Sequence, residues 1–349
     1  MSFPRSSRLA CALGAICLSS LAVGCRGGCA RGGEPAAAAR PAGGALAWFP
    51  AETQIVVAID FARLRATPLW GRLAPLMTSN PDDQAQIAEL VRRTGFDPLK
   101  QIDSLAIAFP EEARNGGALG LVLRGRGFDE GRLVAYARDH VAKQGDDLFS
   151  FRRAGRTMWA TRKDPTVAGF FADDRTFVLG AGGWAEKMAE LARAGTVSGA
   201  EANPVLVHLV ERAGVTNPVW AAAIVPAETR AMLAADPALS SGAGVNRMAL
   251  GVDAASGLRV KLVADLATRQ QADAMTRQVG DAVRAAKQSP QVLLMGIGPY
   301  LDGVTARTTD VSSEILVTLS ATQVADSIER LRAFLALARQ GAVPGFPHP

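Results

Sequence analysis

Cysteine is missing from almost the whole chain. The 349 residues include 4 cysteines, and none of them lies beyond Cys29. A region without cysteine forms no disulfide, and it offers no thiolate as a nucleophile or as a zinc ligand. The long remainder of the chain must therefore be held together by its apolar core.

Histidine is also scarce, with 3 in the chain. His348 lies near the end of the chain, and His140 and His208 fall on separate predicted helices. The sequence contains neither the G-x-S-x-G nor the S-x-x-K pattern of acyl-transfer enzymes. Zinc prefers three or four clustered His, Cys or carboxylate ligands, which this sequence does not supply. The sequence therefore predicts no catalytic residue, no metal ligand and no cofactor, and a protein that is not an enzyme.

Neither a nucleotide-binding motif nor a nucleic-acid surface is complete. In "GRGFDE" (125–130) the third glycine of G-x-G-x-x-G is replaced by Glu130. The turn "LGAGGWAEK" (179–187) lacks the G-K-[ST] of a P-loop. The formal net charge is +5, but basic and acidic residues are interspersed and aromatic residues make up 6%. We therefore predict no nucleic-acid partner, because such a partner needs a basic face and aromatic platforms.

No apolar run is long enough to cross a membrane. The uncharged stretch "LACALGAICLSSLAV" (9–23) follows Arg5 and Arg8. A spanning helix needs about 20 apolar residues, whereas a secretory signal has a shorter apolar region after basic residues. Residues 1–24 are therefore predicted to be an export signal.

The signal ends at Ala22-Val23-Gly24-Cys25, which resembles the lipobox of bacterial lipoproteins, although Ala22 stands where leucine is usual. The resemblance implies cleavage before Cys25 and lipidation of Cys25. The alternative is an ordinary cleaved signal with chance cysteines. The residue after Cys25 is not aspartate, which resembles the class that is sorted to the outer membrane. We expect an exported protein, lipid-anchored at the outer membrane and facing the periplasm.

Residues 25–45 consist almost entirely of Gly, Ala, Pro and Arg after the cysteine. Such a composition cannot bury enough apolar surface to fold, so it predicts a flexible tether. The final residues, 341–349, are predicted to be a disordered tail.

Helix signals are clear in the first half of the remaining chain. Thr67 and Asn80, each followed by proline, and Asp129 predict three N-caps. Gly95 predicts the end of the second of these helices. Leu133, on the third helix, begins an apolar stripe at helical spacing.

Two halves, 46–197 and 198–340, show a similar order of predicted elements. Each has a strand, helix, hairpin, helix, hairpin and helix, and the first half has extra strands. Hairpins that alternate with helices favour antiparallel sheets covered by helices on one face, so we predict an α+β fold. The matching order further predicts an internal duplication.

Two short stretches, "PAETQIVVAIDFARLRATPLW" (50–70) and "GFDPLKQIDSLAIAF" (95–109), resemble segments of uncharacterised exported lipoproteins from GC-rich, myxobacteria-like bacteria. The resemblance implies an extracytoplasmic α+β fold. It implies no catalytic residue and no ligand.

Asp60 and Asp253 are the two acids that stand out, because each ends an apolar strand. Turn formation explains such residues as well as a functional site does. Three functions remain open: a non-enzymatic binding or scaffolding module, a carrier of a lipid or other apolar ligand between sheet and helices, and a hydrolase with an unrecognised carboxylate site. The expected partners are the membrane, through the lipid anchor, and a protein or an apolar ligand.

Overall fold

A computed structural model describes residues 42–77, 80–111, 117–194, 199–235, 240–290, 292 and 296–339. The predicted signal, Cys25, most of the tether and the tail 341–349 lie outside the described residues. Within the described ranges, every helix is too short or too polar to span a membrane.

One sheet of twelve strands forms the centre of the molecule, in the order β11-β12-β10-β9-β8-β1-β2-β3-β7-β6-β5-β4. Every neighbouring pair is antiparallel. The strands are β1 (Thr53–Asp60), β2 (Ile102–Pro110), β3 (Leu119–Gly125), β4 (Leu148–Arg153), β5 (Arg156–Thr161), β6 (Val167–Asp173), β7 (Thr176–Ala181), β8 (Val219–Ile224), β9 (Val245–Asp253), β10 (Gly257–Leu266), β11 (Val304–Thr309) and β12 (Ser312–Ser320).

The antiparallel sheet with helices confirms the predicted α+β class. The expectation of helices on one face is wrong, because helices pack on both faces of this sheet and bury a core on each. The described α-helices are α1 (Phe61–Arg65), α2 (Pro68–Met77), α3 (Pro81–Thr94), α4 (Pro98–Gln101), α5 (Glu130–Lys143), α6 (Trp184–Ala194), α7 (Pro204–Ala213), α8 (Ala227–Ala235), α9 (Arg269–Gln288), α10 (Gly298–Leu301) and α11 (Ala321–Arg339). Three short 3-10 helices accompany them: Ala42–Trp48, Ala200–Ala202 and Ser240–Gly244.

The two halves of the chain meet at the pair β1–β8, whose register sets Val57 opposite Ala221. Outward from this pair, one half runs β1-β2-β3-β7-β6-β5-β4 and the other runs β8-β9-β10-β12-β11, so the first five strands of each half match and the first half has two more. In both halves a hairpin and a helix follow in the chain, and the last strand, β7 or β12, returns beside the first hairpin; the first half inserts the extra hairpin β4–β5 before that return. The halves therefore share a strand order within one continuous sheet, while a duplication of the sequence stays a prediction.

The larger core lies on the sheet face that α6, α7 and the N-terminal 3-10 helix cover. The large side chains buried there come from both halves of the chain, which ties the halves together. They include Phe49, Val56, Met158, Phe170, Trp184, Leu206 and Trp220.

The opposite face carries a second core in the first half of the chain, under α1, α3 and α5. Its largest members are aromatic or leucine side chains: Phe61, Leu64, Leu90, Phe96, Phe128 and Tyr136. In the second half the corresponding cluster is smaller and lies under α9, where Ala272 packs with Val245 and Leu266. The first half therefore has the richer aromatic core on this face.

Local capping explains most helix boundaries. The Asn80 side chain accepts a hydrogen bond from the Asp82 N–H at 3.2 Å and starts α3, and Gly95 ends α3 with a φ of 75°. The Asp129 side chain accepts from the Arg132 N–H at 3.0 Å and starts α5. These caps confirm the sequence signals, because unpaired N–H groups at a helix start attract short polar side chains.

Thr67 directly precedes α2, which begins at Pro68 as predicted. The Thr67 hydroxyl donates to the carbonyl of Leu64 at 2.7 Å, so it closes the preceding turn. That preceding turn belongs to α1, a five-residue helix that the sequence pattern did not reveal. Such a short helix shows too little periodicity to be recognised.

Candidate functional site

An apolar cleft lies between α5 and the sheet, with Leu90 of α3 and the loop residues Phe96 and Phe128 closing it. It holds a cavity of about 70 Å³ and is partly open to solvent. Six aromatic side chains line it: Phe96, Phe128, Tyr136, Trp159, Phe171 and Phe177. We call this space the apolar cleft.

Contacts between rings form one wall of the apolar cleft. Phe128 lies 5.1 Å from Phe96 and 6.2 Å from Phe171, and Phe171 lies 4.9 Å from Phe177, as measured between ring centres. These separations are typical of packed aromatic pairs. At Gly169 a Cβ atom would come within 2.7 Å of Phe177, so glycine leaves the room that this ring occupies.

Helix α5 supplies the opposite wall through the apolar stripe seen in the sequence. Val134 and Ala137 are buried and Leu133 is half-buried, and all three line the cleft. The indole of Trp159 also lines it, and its N–H donates to Glu130 at 3.1 Å at the start of α5. Because that donor is already satisfied, Trp159 presents carbon to the cavity.

A second space, the polar cleft, lies between α3 and α5 and measures about 280 Å³. Tyr136 lines both clefts. The other side chains around the polar cleft are mostly charged or polar: Ala85, Gln86, Glu89 and Arg93 from α3, and His140 and Lys143 from α5.

An ordered set of contacts fixes the polar cleft. Arg93 donates to the carboxylate of Asp139 and lies 5.4 Å from the centre of the Tyr136 ring. The ring of His140 stacks on Tyr136 at 6.3 Å with 19° between the planes. The Nε2 atom of His140 lies 3.0 Å from the amide nitrogen of Gln144. These contacts orient both rings along α5.

The charges in this region follow from these contacts. The hydrogen bond from Arg93 and its positive charge hold the pKa of Asp139 below its usual value, and the same bond raises the pKa of Arg93. Burial raises the pKa of the Tyr136 phenol. At neutral pH the pair Arg93–Asp139 is therefore charged and Tyr136 is a neutral hydroxyl.

A third space, of about 340 Å³, lies beside α7 and is lined by charged groups that pair with one another. Arg212 donates to both carboxylate oxygens of Asp265, at 2.6 and 2.8 Å, and the Ser312 hydroxyl donates to Asp265 at 2.7 Å. Glu314 pairs with Arg307 at 2.8 Å and with Lys261 at 3.6 Å. Since each central carboxylate is already paired, these contacts serve to hold α7 and the strands together.

Asp60 and Asp253 lie at the same end of the sheet, on either side of Pro218. The Asp60 N–H donates to the Pro218 carbonyl, and β9, which ends at Asp253, pairs with the other side of β8. Two strand spacings, about 10 Å, separate the two acids. Asp60 caps α1 and pairs with Arg63 at 3.0 Å, and Asp253 accepts from the N–H of Ala255. Both carboxylates thus have roles in local turns, and neither lines the two clefts.

The shifted carboxylates in the described ranges do not converge. The pKa values of Glu52, Asp139 and Glu314 are lowered, and in each case a basic partner stabilises the charged form. A general acid needs a raised pKa at neutral pH. The described residues also contain no group of three or more His, Cys, Asp or Glu side chains arranged to hold a metal.

Sequence reasoning missed the polar cleft because it weighed His140 alone. Tyr136, His140 and Lys143 recur at helical spacing on α5, so the pattern that joins them was present in the sequence. The facing side chain, Arg93, lies on another helix, and only the packing of α3 against α5 brings it near.

No model of a known protein family matches the sequence, and no curated protein matches it. Among solved structures, crystal forms of TP0453, a Treponema protein, show a distant similarity to this chain. Crystal form III is 12% identical, with a TM-score of 0.46, over 83% of this chain and 97% of that one. Crystal form I is 12% identical, with a TM-score of 0.42, over 84% and 98%. We draw no functional argument from similarity at this level.

Proposed function

We propose that this protein is a non-enzymatic binding module that takes the apolar part of a small ligand into the apolar cleft. In this proposal the chain is exported, and a lipid at Cys25 holds it at the outer membrane, facing the periplasm. The observation that carries the binding function is the cavity itself, walled by six aromatic side chains and partly open. Ligand sites are concave, mostly apolar and largely pre-formed, as this one is.

The volume of the cavity limits the size of the chemical group that can bind in it. At about 70 Å³ it is smaller than the cavity of roughly 150 Å³ that binds benzene in an engineered protein. It suits a few carbon atoms at the end of an apolar chain, with the rest of the ligand outside. A carrier that encloses a whole lipid needs a larger space, so a binding module with a partly exposed ligand is the better-supported function.

Binding of 1-hexanol, an uncharged molecule with a short apolar chain, tests this proposal. The protein is the chain from residue 25 onward, produced without the predicted signal and with Cys25→Ala, so that neither the lipid nor the apolar stretch 9–23 requires detergent. Trp159 lines the cavity, so its indole N–H signal in a nitrogen-15 NMR spectrum reports occupancy. The chain has 5 tryptophans, and Trp159→Phe identifies the signal by its loss.

Two variants on the same helix locate the site. Ala137 lines the cavity, whereas Ala135 is exposed on the other side of α5. We expect Ala137→Leu to fill the cavity and weaken hexanol binding by about tenfold or more, since a few buried methylenes are each worth about 0.8 kcal/mol. Ala135→Leu should bind like the parent chain. The proposal fails if the parent chain does not bind hexanol, or if folded Ala137→Leu binds it equally well.

A further inference from the structure

We infer that the ligand is an anionic amphiphile, with its apolar end in the apolar cleft and its negatively charged head in the polar cleft beside Lys143 and His140. This inference rests on the proposed function, because it assumes that the apolar cleft is occupied. It adds the chemical class of the ligand, which an apolar cavity by itself does not define.

The two clefts adjoin at Tyr136, whose side chain lines both. On α3, Leu90 faces the apolar cleft and Arg93 faces the polar one. On α5, Ala137 likewise lines the apolar cleft and His140 lines the polar one. Residues three apart are neighbours along one side of a helix, so the lining changes from carbon to charge within about one turn, or 5.4 Å. A molecule that enters both spaces must change from apolar to polar over a similar length.

The charges around the polar cleft favour a negative head. The Arg93 side chain already donates a hydrogen bond to Asp139, and the Glu89 carboxylate already accepts one from Arg92. The side chain of Lys143 makes no hydrogen bond or ion pair within the described part of the chain, and the nearby Asp139, which feels its charge, is already bonded to Arg93. It is therefore the charged group at this site that has capacity for a ligand, and it attracts an anion. A cationic head would meet Lys143 and Arg93 and find Glu89 already paired.

Tyr136 and His140 add polar contacts at the boundary. Burial keeps the phenol protonated, so its hydroxyl can donate to a carboxylate or phosphate oxygen. The imidazole of His140 is held in place by its stack on Tyr136 and its contact with Gln144. A head that lies over these two rings is oriented as well as attracted.

Three ligands that share a six-carbon chain separate the head from the tail: hexanoate, 1-hexanol and hexylammonium. Each is titrated at pH 7 and low salt into the Cys25→Ala chain without residues 1–24, with the Trp159 indole signal as the readout. We expect hexanoate to bind about fivefold more tightly than hexanol, as suits one partly exposed charge pair. Hexylammonium should bind more weakly than hexanol. Added salt should reduce the preference for hexanoate without affecting hexanol.

Two lysine variants test the assigned residue. Lys143→Gln should abolish the preference for hexanoate, measured as the ratio of the hexanol to the hexanoate dissociation constant in the same variant. Lys100→Gln is the matched control, because the Lys100 side chain on α4 is 74% exposed, pairs with Asp97 and does not line the polar cleft. It should keep the preference. Both changes lie on the surface and are expected to leave folding intact, which circular dichroism checks.

The possible failures are distinguishable. If none of the three ligands binds, the proposed function and this inference both fall. If hexanol binds but hexanoate binds no more tightly, the apolar site stands and the anionic head is wrong. A preference that survives in Lys143→Gln, or the tightest binding by hexylammonium, likewise overturns the assignment of the head.

Discussion

The guanidinium of Arg93 lies 5.4 Å from the ring centre of Tyr136 while it donates a hydrogen bond to Asp139. One side chain of α3 thus contacts two side chains of α5, one through its charge and the other through its planar face. Arginine suits this position because its flat cation both pairs with a carboxylate and stacks on an aromatic ring. The contact places Tyr136 at the boundary between the two clefts.

The pair formed by Arg212 and Asp265 should be important for stability. Their side chains are 26% and 15% exposed, and Ser312 also donates to Asp265. Asp265→Ala leaves a partly buried guanidinium without its partner, so we expect a loss of about 2 to 3 kcal/mol in the free energy of unfolding. Ser312→Ala should cost about 1 kcal/mol. Urea denaturation measures both, and equal losses would contradict the central role of the carboxylate.

Glu314 should make stability depend on pH in the acid range. Partial burial raises its pKa, but the hydrogen bond from Arg307 and the charges of Lys261 and Arg307 outweigh burial and lower it overall. A lowered pKa stabilises the folded state above the ordinary glutamate pKa of about 4.3, and this contribution disappears as the pH falls through the lowered value.

The comparison of Glu314→Gln with the parent chain tests that dependence. At neutral pH we expect the variant to be less stable by about 1 kcal/mol. The difference should shrink below about pH 4, where the glutamate becomes protonated in both states. Glu228→Gln, an exposed change in the first turn of α8, is the control. A difference that is constant from pH 7 to pH 3 would show that the carboxylate charge is not responsible.

Gly251 should not tolerate alanine. A Cβ atom there would lie 2.1 Å from the carbonyl oxygen of Ala213 and 2.5 Å from the amide nitrogen of Asn217. The end of α7 rests directly on β9 at this point, so backbone must move, and we expect Gly251→Ala to cost about 3 kcal/mol.

Replacing a second glycine with alanine should stabilise the protein instead. At Gly280, in the middle of α9, the nearest atom to a new Cβ would be in the Arg284 side chain at 3.7 Å, an ordinary contact. Gly280→Ala should therefore stabilise the protein by about 0.5 to 1 kcal/mol, because alanine favours the helix. Thermal unfolding of the two variants should move in opposite directions. A similar melting temperature for both would refute the packing argument at Gly251.

Cys25 should determine whether the protein is bound to a membrane. If it carries the lipid, Cys25→Ala, combined with an ordinary cleavable export signal in place of residues 1–24, should move the exported chain from the membrane fraction to the soluble fraction. Cys29→Ala, four residues along the proposed tether, should remain with the membrane. Fractionation followed by mass spectrometry of the N-terminal peptide distinguishes these outcomes. Membrane binding that survives Cys25→Ala would exclude anchorage through this cysteine.

The local structure was largely predictable. Asn80 and Asp129 start helices as expected, because capping depends only on residues within one turn. The hairpin over 149–162 was also predicted, and its turn at Ala154 and Gly155 has a positive φ at both residues. Thr67 shows the limit of such local rules. It lies between two helices, and its hydroxyl bonds to the end of α1, which the sequence pattern did not reveal.

The sequence by itself determined the α+β class and the order of elements that repeats in the two halves. It also predicts the export signal and the tether. Each depends on composition, periodicity or neighbours in the chain. Only the tertiary structure decided that β1 pairs with β8 in one sheet, that Asp60 and Asp253 flank Pro218, and that Arg93 meets Tyr136. These contacts join residues that are distant in sequence, and their energies depend on packing between elements. Both clefts arise at such contacts, so no local pattern specifies them.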